Sequence, residues 1–217
     1  MIKAKKCYDI DYMFIDKKLK PIENEEAMNN LLVIMDMNNG FAKKGALYSP
    51  RTEKLIEPIA AFCSKAKSEG WRILALSDCH DSSDPEMKSF PTHCMKGTKE
   101  SLVVDEIKPF CDVILPKFTT GSFFEIQAAK ARKPFLNLNQ YDEIHVTGCC
   151  TDLCVFNFAV MAQKYFEFEF HNGKIQHMPR IIVHKDLVDT YDGDTHPADE
   201  FNKIFLNQLV LDGIEVL

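Results

Sequence analysis

Val146-Thr-Gly-Cys-Cys-Thr-Asp-Leu-Cys154-Val-Phe156 decides how this chain is read. An apolar strand runs into a glycine-led turn, and a helix begins near Thr151 and continues through Phe156, Ala159, Val160 and Ala162 to about Tyr165. Cys154 therefore falls in the first turn of a helix. There it faces unpaired N–H groups and the positive end of the helix dipole, and both favour thiolate over thiol. The same N–H groups suit the oxyanion formed when a sulfur attacks a carbonyl. Cysteines near a strand end are commonly small buried hydrophobes, and it is position that sets Cys154 apart from the other seven.

Outward from that turn, strands and helices alternate. Leu31-Leu-Val-Ile-Met35 is a continuous apolar run that stops at Asp36, and Asn38-Asn39-Gly40 breaks it as a turn. Residues 50–69 have helical spacing closed by Gly70. A strand over 71–77 ends at Asp78, and 79–101 form a long polar loop of the kind that is usually functional. A short helix over 103–107, a strand over 111–117 ending in Lys117, a helix over 123–131 and a strand over 141–147 lead into the cysteine turn. Beyond it the spacing gives an irregular segment over 166–179 with Asn172-Gly173 as a hairpin turn, a strand over 180–184, a helix over 197–211 and a last strand over 214–217. This is the pattern of a single α/β domain, a mainly parallel sheet covered on both faces in three layers. The domain is expected over residues 31–217, and residues 1–30 as an N-terminal extension, an arm or a hairpin.

Composition narrows the function. A chain of 217 residues, 46% hydrophobic, supports one substantial core. A formal charge of −6 argues against nucleic-acid or membrane-surface partners, which usually want a basic face. No apolar run approaches the ~20 residues needed to cross a bilayer, and no apolar region follows the basic N-terminus as in a secretory signal. Eight irregularly spaced cysteines read as reduced thiols in a cytoplasmic protein.

Chemistry gathers at the strand ends. Asp36, Asp78, Lys117 and Cys154 each follow a different apolar run, so a parallel sheet would collect them at one edge. Asp36 can take the thiol proton and pass it to a leaving amine, while Lys117 favours both anions. In the loop, Asp78 and His80 point the same way, and Glu86 and His93 can fold back to join them. Two imidazoles and one or two carboxylates suit Zn²⁺, Mn²⁺ or Fe²⁺, and Cys79 and Cys94 leave a cysteine-containing zinc site open as well.

These residues resemble the isochorismatase-like cysteine hydrolases, and among them most closely the nicotinamidases. Leu-Val-Ile-Met-Asp36-Met-Asn-Asn-Gly-Phe41 is similar to the motif of an apolar strand followed by D-x-Q-N-D-F, with Asp36 matching the general base. Asp78-Cys-His80, with Glu86 and Phe-Pro-Thr-His93-Cys-Met-Lys-Gly97-Thr98, resembles the D-x-H … W/F-P-x-H-C-x-x-G-T block. Its metal ligands match Asp78, His80 and His93, with Glu86 as a fourth. Lys117 matches the catalytic lysine, and Thr147 to Val155 the nucleophile motif T-G-x-x-T-D-x-C-V. The resemblance implies a cis peptide between Cys149 and Cys150, an oxyanion hole from the N–H groups of Cys150 and Cys154, and substrate contacts from Phe41 and Cys149. It also implies a homo-oligomer, with 166–179 as the place to look for the contact. Asn38, Gly40 and Cys79 depart from the family pattern, which often has Gln, Asp and Trp there.

The expected activity is metal-dependent hydrolysis of nicotinamide to nicotinate and ammonia through a thioester on Cys154, with Zn²⁺ foremost and Fe²⁺ or Mn²⁺ as alternatives. A second expectation keeps the hydrolase and changes its substrate to another small amide, a ureido compound or isochorismate. A third is a thiol or metal sensor built on Cys149, Cys150 and Cys154. His145, His171, His177 and His184 read as structural, and His196 as a residue of a helix-capping region.

Overall fold

Strand β1 (Asn30–Met35) is buried along its whole length, and its alternate side chains serve two different cores. Leu31, Val33 and Met35 pack with Phe123, Ile126, Phe158, Ala159, Ala162 and Phe166, whereas Leu32 and Ile34 pack with Ile56, Ile59, Cys63 and Ala66. A strand buried on both faces has no polar side, which is why its sequence is a solid apolar run. In this computed structural model residues 29–217 are described, so the arm or hairpin expected over 1–30 lies outside the described residues except for its last two.

Five further strands, β2 (Arg72–Asp78), β3 (Val113–Lys117), β4 (Glu143–Cys149), β5 (Arg180–Asp189) and β6 (Glu215–Val216), pair in the order β3-β2-β1-β4-β5-β6, every pair parallel. Helices α1 (Asn39–Ala42), α2 (Pro50–Lys54) and α3 (Ile56–Ser68) follow β1; α4 (Phe123–Ala129), α5 (Phe156–His171) and α6 (Ala198–Leu211) follow β3, β4 and β5. The single α/β domain with three layers is as expected. The chain builds outward from β1 to β3, then returns to place β4 on β1's other side. Ligands meet open sheets at the carboxyl ends beside such a reversal. There the strands must approach closely, since a Cβ on Gly148 would stand 1.9 Å from the Met35 carbonyl oxygen, and φ is +106°. Among the described residues, no helix is long and apolar enough to cross a membrane.

Several boundaries differ from the sequence reading. The helix over 50–69 breaks at Leu55 because the Pro58 ring excludes the carbonyl four residues earlier; Pro58 instead lies in the first turn of α3, where no N–H is required. Asn39-Gly40 enters α1 rather than a simple turn. Residues 103–107 form no α-helix: Val103 bridges Asn38, and the Val104 N–H donates to the Met37 carbonyl at 2.9 Å. Helix α5 runs on to His171, so the first half of 166–179 is helical, and Asn172-Gly173 ends the helix rather than turning a hairpin. Gly173 has φ +65°, and the Lys174 N–H returns to the Glu169 carbonyl at 2.9 Å.

Candidate active site

Each chemically active side chain is delivered by a strand end. Asp36 immediately follows β1 with φ +51°, Asp78 closes β2, and Lys117 closes β3 directly opposite Asp78 in register. After β4 the Cys149–Cys150 peptide is cis, and Thr151–Val155 wind as a π-helical turn that places Cys154 just before α5. Lys117 Nζ is 2.9 Å from Asp36 Oδ2 and 3.6 Å from Cys154 Sγ, and it also bonds Asp78 Oδ1. The Asp78 backbone N–H donates to Asp36 Oδ1 at 3.1 Å, tying the Asp36 carboxylate to the end of β2. None of the four side-chain bearers is more than 8% exposed.

Burial raises the Asp36 carboxyl to about 7, helped by the Asp78 charge, while Lys117 and the Cys154 thiol pull the other way. Asp78 is also desolvated, yet Lys117, His80 and His93 outweigh that and hold it well below the usual carboxylate range. Burial lowers the Lys117 pKa, but Asp36, Asp78 and Cys154 outweigh it and raise the ammonium well above its ordinary value. Burial pushes the Cys154 thiol up, Lys117 only partly opposes it, and Asp36 and Asp78 add to the rise. The enclosure therefore opposes the thiolate that the helix start favours. The local turn favours an anion, but enclosure and two carboxylates from other strands favour the thiol. A carboxylate that titrates near neutrality beside a thiol can accept its proton as the sulfur attacks.

Asp78, His80, Glu86 and His93 each bring one donor atom to within 4.8 Å of all the others. Nε2 of His80 and Nε2 of His93 face Asp78 Oδ2 from 3.4 and 3.3 Å. Their outer nitrogens are fixed: Nδ1 of His80 lies 3.3 Å from Asp84 Oδ2, and Nδ1 of His93 lies 2.7 Å from the Pro91 carbonyl. Carboxylate and carbonyl acceptors behind two imidazoles leave the inner nitrogens aimed at a common point, as metal-ligating histidines require. Nε2 of His80 is buried without a hydrogen bond. The donor set fits a divalent transition ion. Cys79 and Cys94 are outside the cluster. Cys94 is buried with its sulfur 3.8 Å from Asn38 Nδ2, which removes the cysteine-containing alternative.

A cavity of about 310 Å³ opens over these groups, lined by Asp36, Asp78, Glu86, His93, Cys149, Cys150 and Cys154 among others. Phe41 lines it too, with its ring 5.6 Å from that of His93. Cys149 Sγ donates to the Asp36 carbonyl at 3.4 Å. Cys79 is not part of the lining, which takes its aromatics from Phe41, Tyr48, Phe90 and Tyr191.

Sequence reasoning missed Asp84, four residues beyond His80, and Asn38, whose Nδ2 donates to the Asp78 carbonyl at 2.9 Å. It also missed Tyr191. His196 is no cap. Its Nε2 lies 2.8 Å from Asp152 Oδ2, and Asp192 Oδ1 accepts from the Ala198 N–H at 2.8 Å at the helix start instead.

The fold and the reactive groups at its edge make this chain a hydrolase. More closely, it belongs to the isochorismatase family, whose domain model matches residues 30–199. Nicotinamidase 1 of Arabidopsis thaliana is 27% identical over 203 residues, covering 85% of this chain and 81% of that protein. The N-carbamoylsarcosine amidase of Thermoplasma acidophilum is 26% identical and superposes with a TM-score of 0.66, over 87% of this chain and 95% of that one. The pyrazinamidase of Pyrococcus horikoshii, solved in complex with zinc, shares the fold at 20% identity and a TM-score of 0.66, over 87% and 98% of the two chains.

Proposed function

We propose that this protein is a metal-dependent nicotinamidase, hydrolysing nicotinamide to nicotinate and ammonia through a thioester on Cys154. The observation that carries the reading is that one cavity is lined both by Cys154 and Asp36 and by three members of the four-donor cluster, Asp78, Glu86 and His93. An amide attached to a ring nitrogen heterocycle has two handles, and a site with a nucleophile beside a metal-binding group addresses both.

Asp36 takes the thiol proton as Cys154 Sγ bonds to the amide carbon. The oxyanion that forms is held by the N–H groups of Cys150 and Cys154. Asp36 then gives its proton to the departing nitrogen, the C–N bond breaks and ammonia leaves. Water, deprotonated by Asp36, attacks the thioester and frees nicotinate with the thiol restored. Both transfers are easy for a carboxyl poised near 7. Lys117 keeps its charge throughout and holds Asp36 toward the sulfur. Asp78, His80, Glu86 and His93 would hold a divalent ion, Zn²⁺ foremost, which when bound supplies a Lewis acid for the ring nitrogen. Phe41 and Cys149 flank the ring.

A second reading, hydrolysis of an aliphatic ureido compound, is favoured by the 26% identity to the N-carbamoylsarcosine amidase. Both reactions yield ammonia, so the substrate that releases it separates the two. Metal-loaded protein is expected to release ammonia from nicotinamide and to lose that activity with chelator. A folded, metal-loaded sample that releases none from nicotinamide, or that cleaves N-carbamoyl compounds without metal, overturns the first reading.

A further inference from the structure

The loop after β5 contributes Tyr191 to the cavity, and the chemistry above gives it no task. Its surroundings are unusually fixed for a residue that is 38% exposed. The Tyr191 ring lies flat on the imidazole of His196, centroids 4.0 Å apart and planes 4° from parallel. The Phe201 ring touches the same imidazole at 3.8 Å. Both nitrogens of His196 face acceptors, Nδ1 the Tyr191 carbonyl at 2.8 Å and Nε2 the Asp152 carboxylate at 2.8 Å. Gly193 and His196 exchange two backbone hydrogen bonds of 3.0 Å, so the loop closes on itself. Asp152 belongs to the same turn as Cys154 and is buried, its second oxygen without a hydrogen bond.

One continuous set of contacts therefore runs from the nucleophile's turn, through Asp152 and His196, to an aromatic ring at the cavity. Phe41 and Phe90 lie 5.6 and 6.3 Å from the His93 ring, at the metal-cluster end. Tyr191 is anchored to the end that carries the thiol. A planar ring conjugated to the reacting carbonyl offers a flat face there, whereas an aliphatic amide offers a tetrahedral carbon with little to stack.

We propose that Tyr191 is a specificity-determining residue that packs against aromatic acyl groups, and that His196 is the positioning residue that locks it to Asp152 and so to the turn of Cys154. The inference rests on the amidase reading above and assigns its preference for flat heteroaromatic carboxamides to this wall.

Kinetics on nicotinamide and on propionamide, with calorimetric binding of nicotinate, test it on the metal-loaded full chain. Tyr191→Ala is expected to raise KM for nicotinamide and the nicotinate Kd by roughly fivefold to tenfold, with kcat within about twofold and propionamide turnover unmoved. Tyr191→Phe, which keeps the stacked ring, should restore the wild-type KM. His196→Ala should raise KM in the same way, and the double variant should be no worse than Tyr191→Ala alone, because the two act as one unit. A Tyr191→Ala protein with wild-type KM and Kd overturns the proposal, as does a double variant whose KM rises by the product of the single effects. Should His196→Ala fail to fold, the comparison of Tyr191→Ala with Tyr191→Phe decides alone. A wild-type protein that binds nicotinate but releases no ammonia refutes the nicotinamidase reading and leaves the binding comparison to decide this one; a protein that does neither refutes both.

Discussion

His80 and His93 meet over the carboxylate of Asp78 at the carboxyl edge of the sheet, whereas His145 and His184 meet over Trp71 and Phe62 on one of its faces. Burial opposes the charged imidazole in both pairs. At the edge it loses: the Asp78 carboxylate lies against both rings and attracts them, and both pKa values rise. On the face it wins. His184 falls to about 4, through burial and then its neighbour His145, and His145 falls as well. His145 has a carboxylate, Glu143 at 3.1 Å, but that group also binds Arg180 at 2.6 Å, and the guanidinium opposes its effect. The rings then serve as each other's partner, Nδ1 of His145 2.9 Å from Nε2 of His184, with Trp71 stacked at 4.3 Å. What separates the two pairs is a carboxylate oxygen, Asp78 Oδ2, that faces both rings, not depth.

The sharpest way to break this contrast is to remove chemistry from one region at a time. Cys154→Ala should lower kcat/KM for nicotinamide by at least about 10⁴-fold, while His145→Phe should leave it within about threefold. Equal losses from the two variants would dissolve the distinction. His80→Ala and His93→Ala should each empty the metal site on elemental analysis and reduce kcat/KM by about 100-fold or more. His184→Phe should keep its full metal content.

pH separates the regions further. Asp36 must be ionised to accept the thiol proton, so kcat/KM should fall about tenfold per unit below the point near 7 where it is protonated. A profile flat from pH 5 to 8 would remove Asp36 from that role. The smallest effect is on stability. The folded pKa of His184 lies below its ordinary 6.5, so the unfolded chain takes up the proton first as pH falls. Its contribution is present above 6.5 and is lost as pH drops toward 4, about 1 to 2 kcal/mol after discounting for its partial exposure. His184→Phe should lose less stability over that interval in denaturant titrations, and an identical loss would sink the assignment.

Legibility followed the range of the interactions. The strands were readable because burial on both faces leaves Leu31 to Met35 wholly apolar, and the reactive residues because they interrupt such runs at the end. The four-donor cluster was readable because three of its four members lie in one loop. Phe166-Glu-Phe-Glu-Phe170 was not, since its alternation imitates a strand while the residues complete α5. Val103, Val104 and Ile107 have helical spacing but are buried as a segment bonded to the turn after β1. The protonation of Cys154 depends on Asp36 and Asp78, which arrive from two other strands. Tyr191 and its His196 anchor leave no periodic trace at all.

Hydrolysis by this route requires the sulfur of Cys154 to become acylated. Metal-loaded protein mixed with nicotinamide, quenched in acid within a turnover and digested, should show the Cys154 peptide heavier by one nicotinoyl group, with none on Cys149 or Cys150 and none after Asp36→Asn. Turnover that continues with Cys154 unmodified at every quench time, or survives Cys154→Ala, would contradict it.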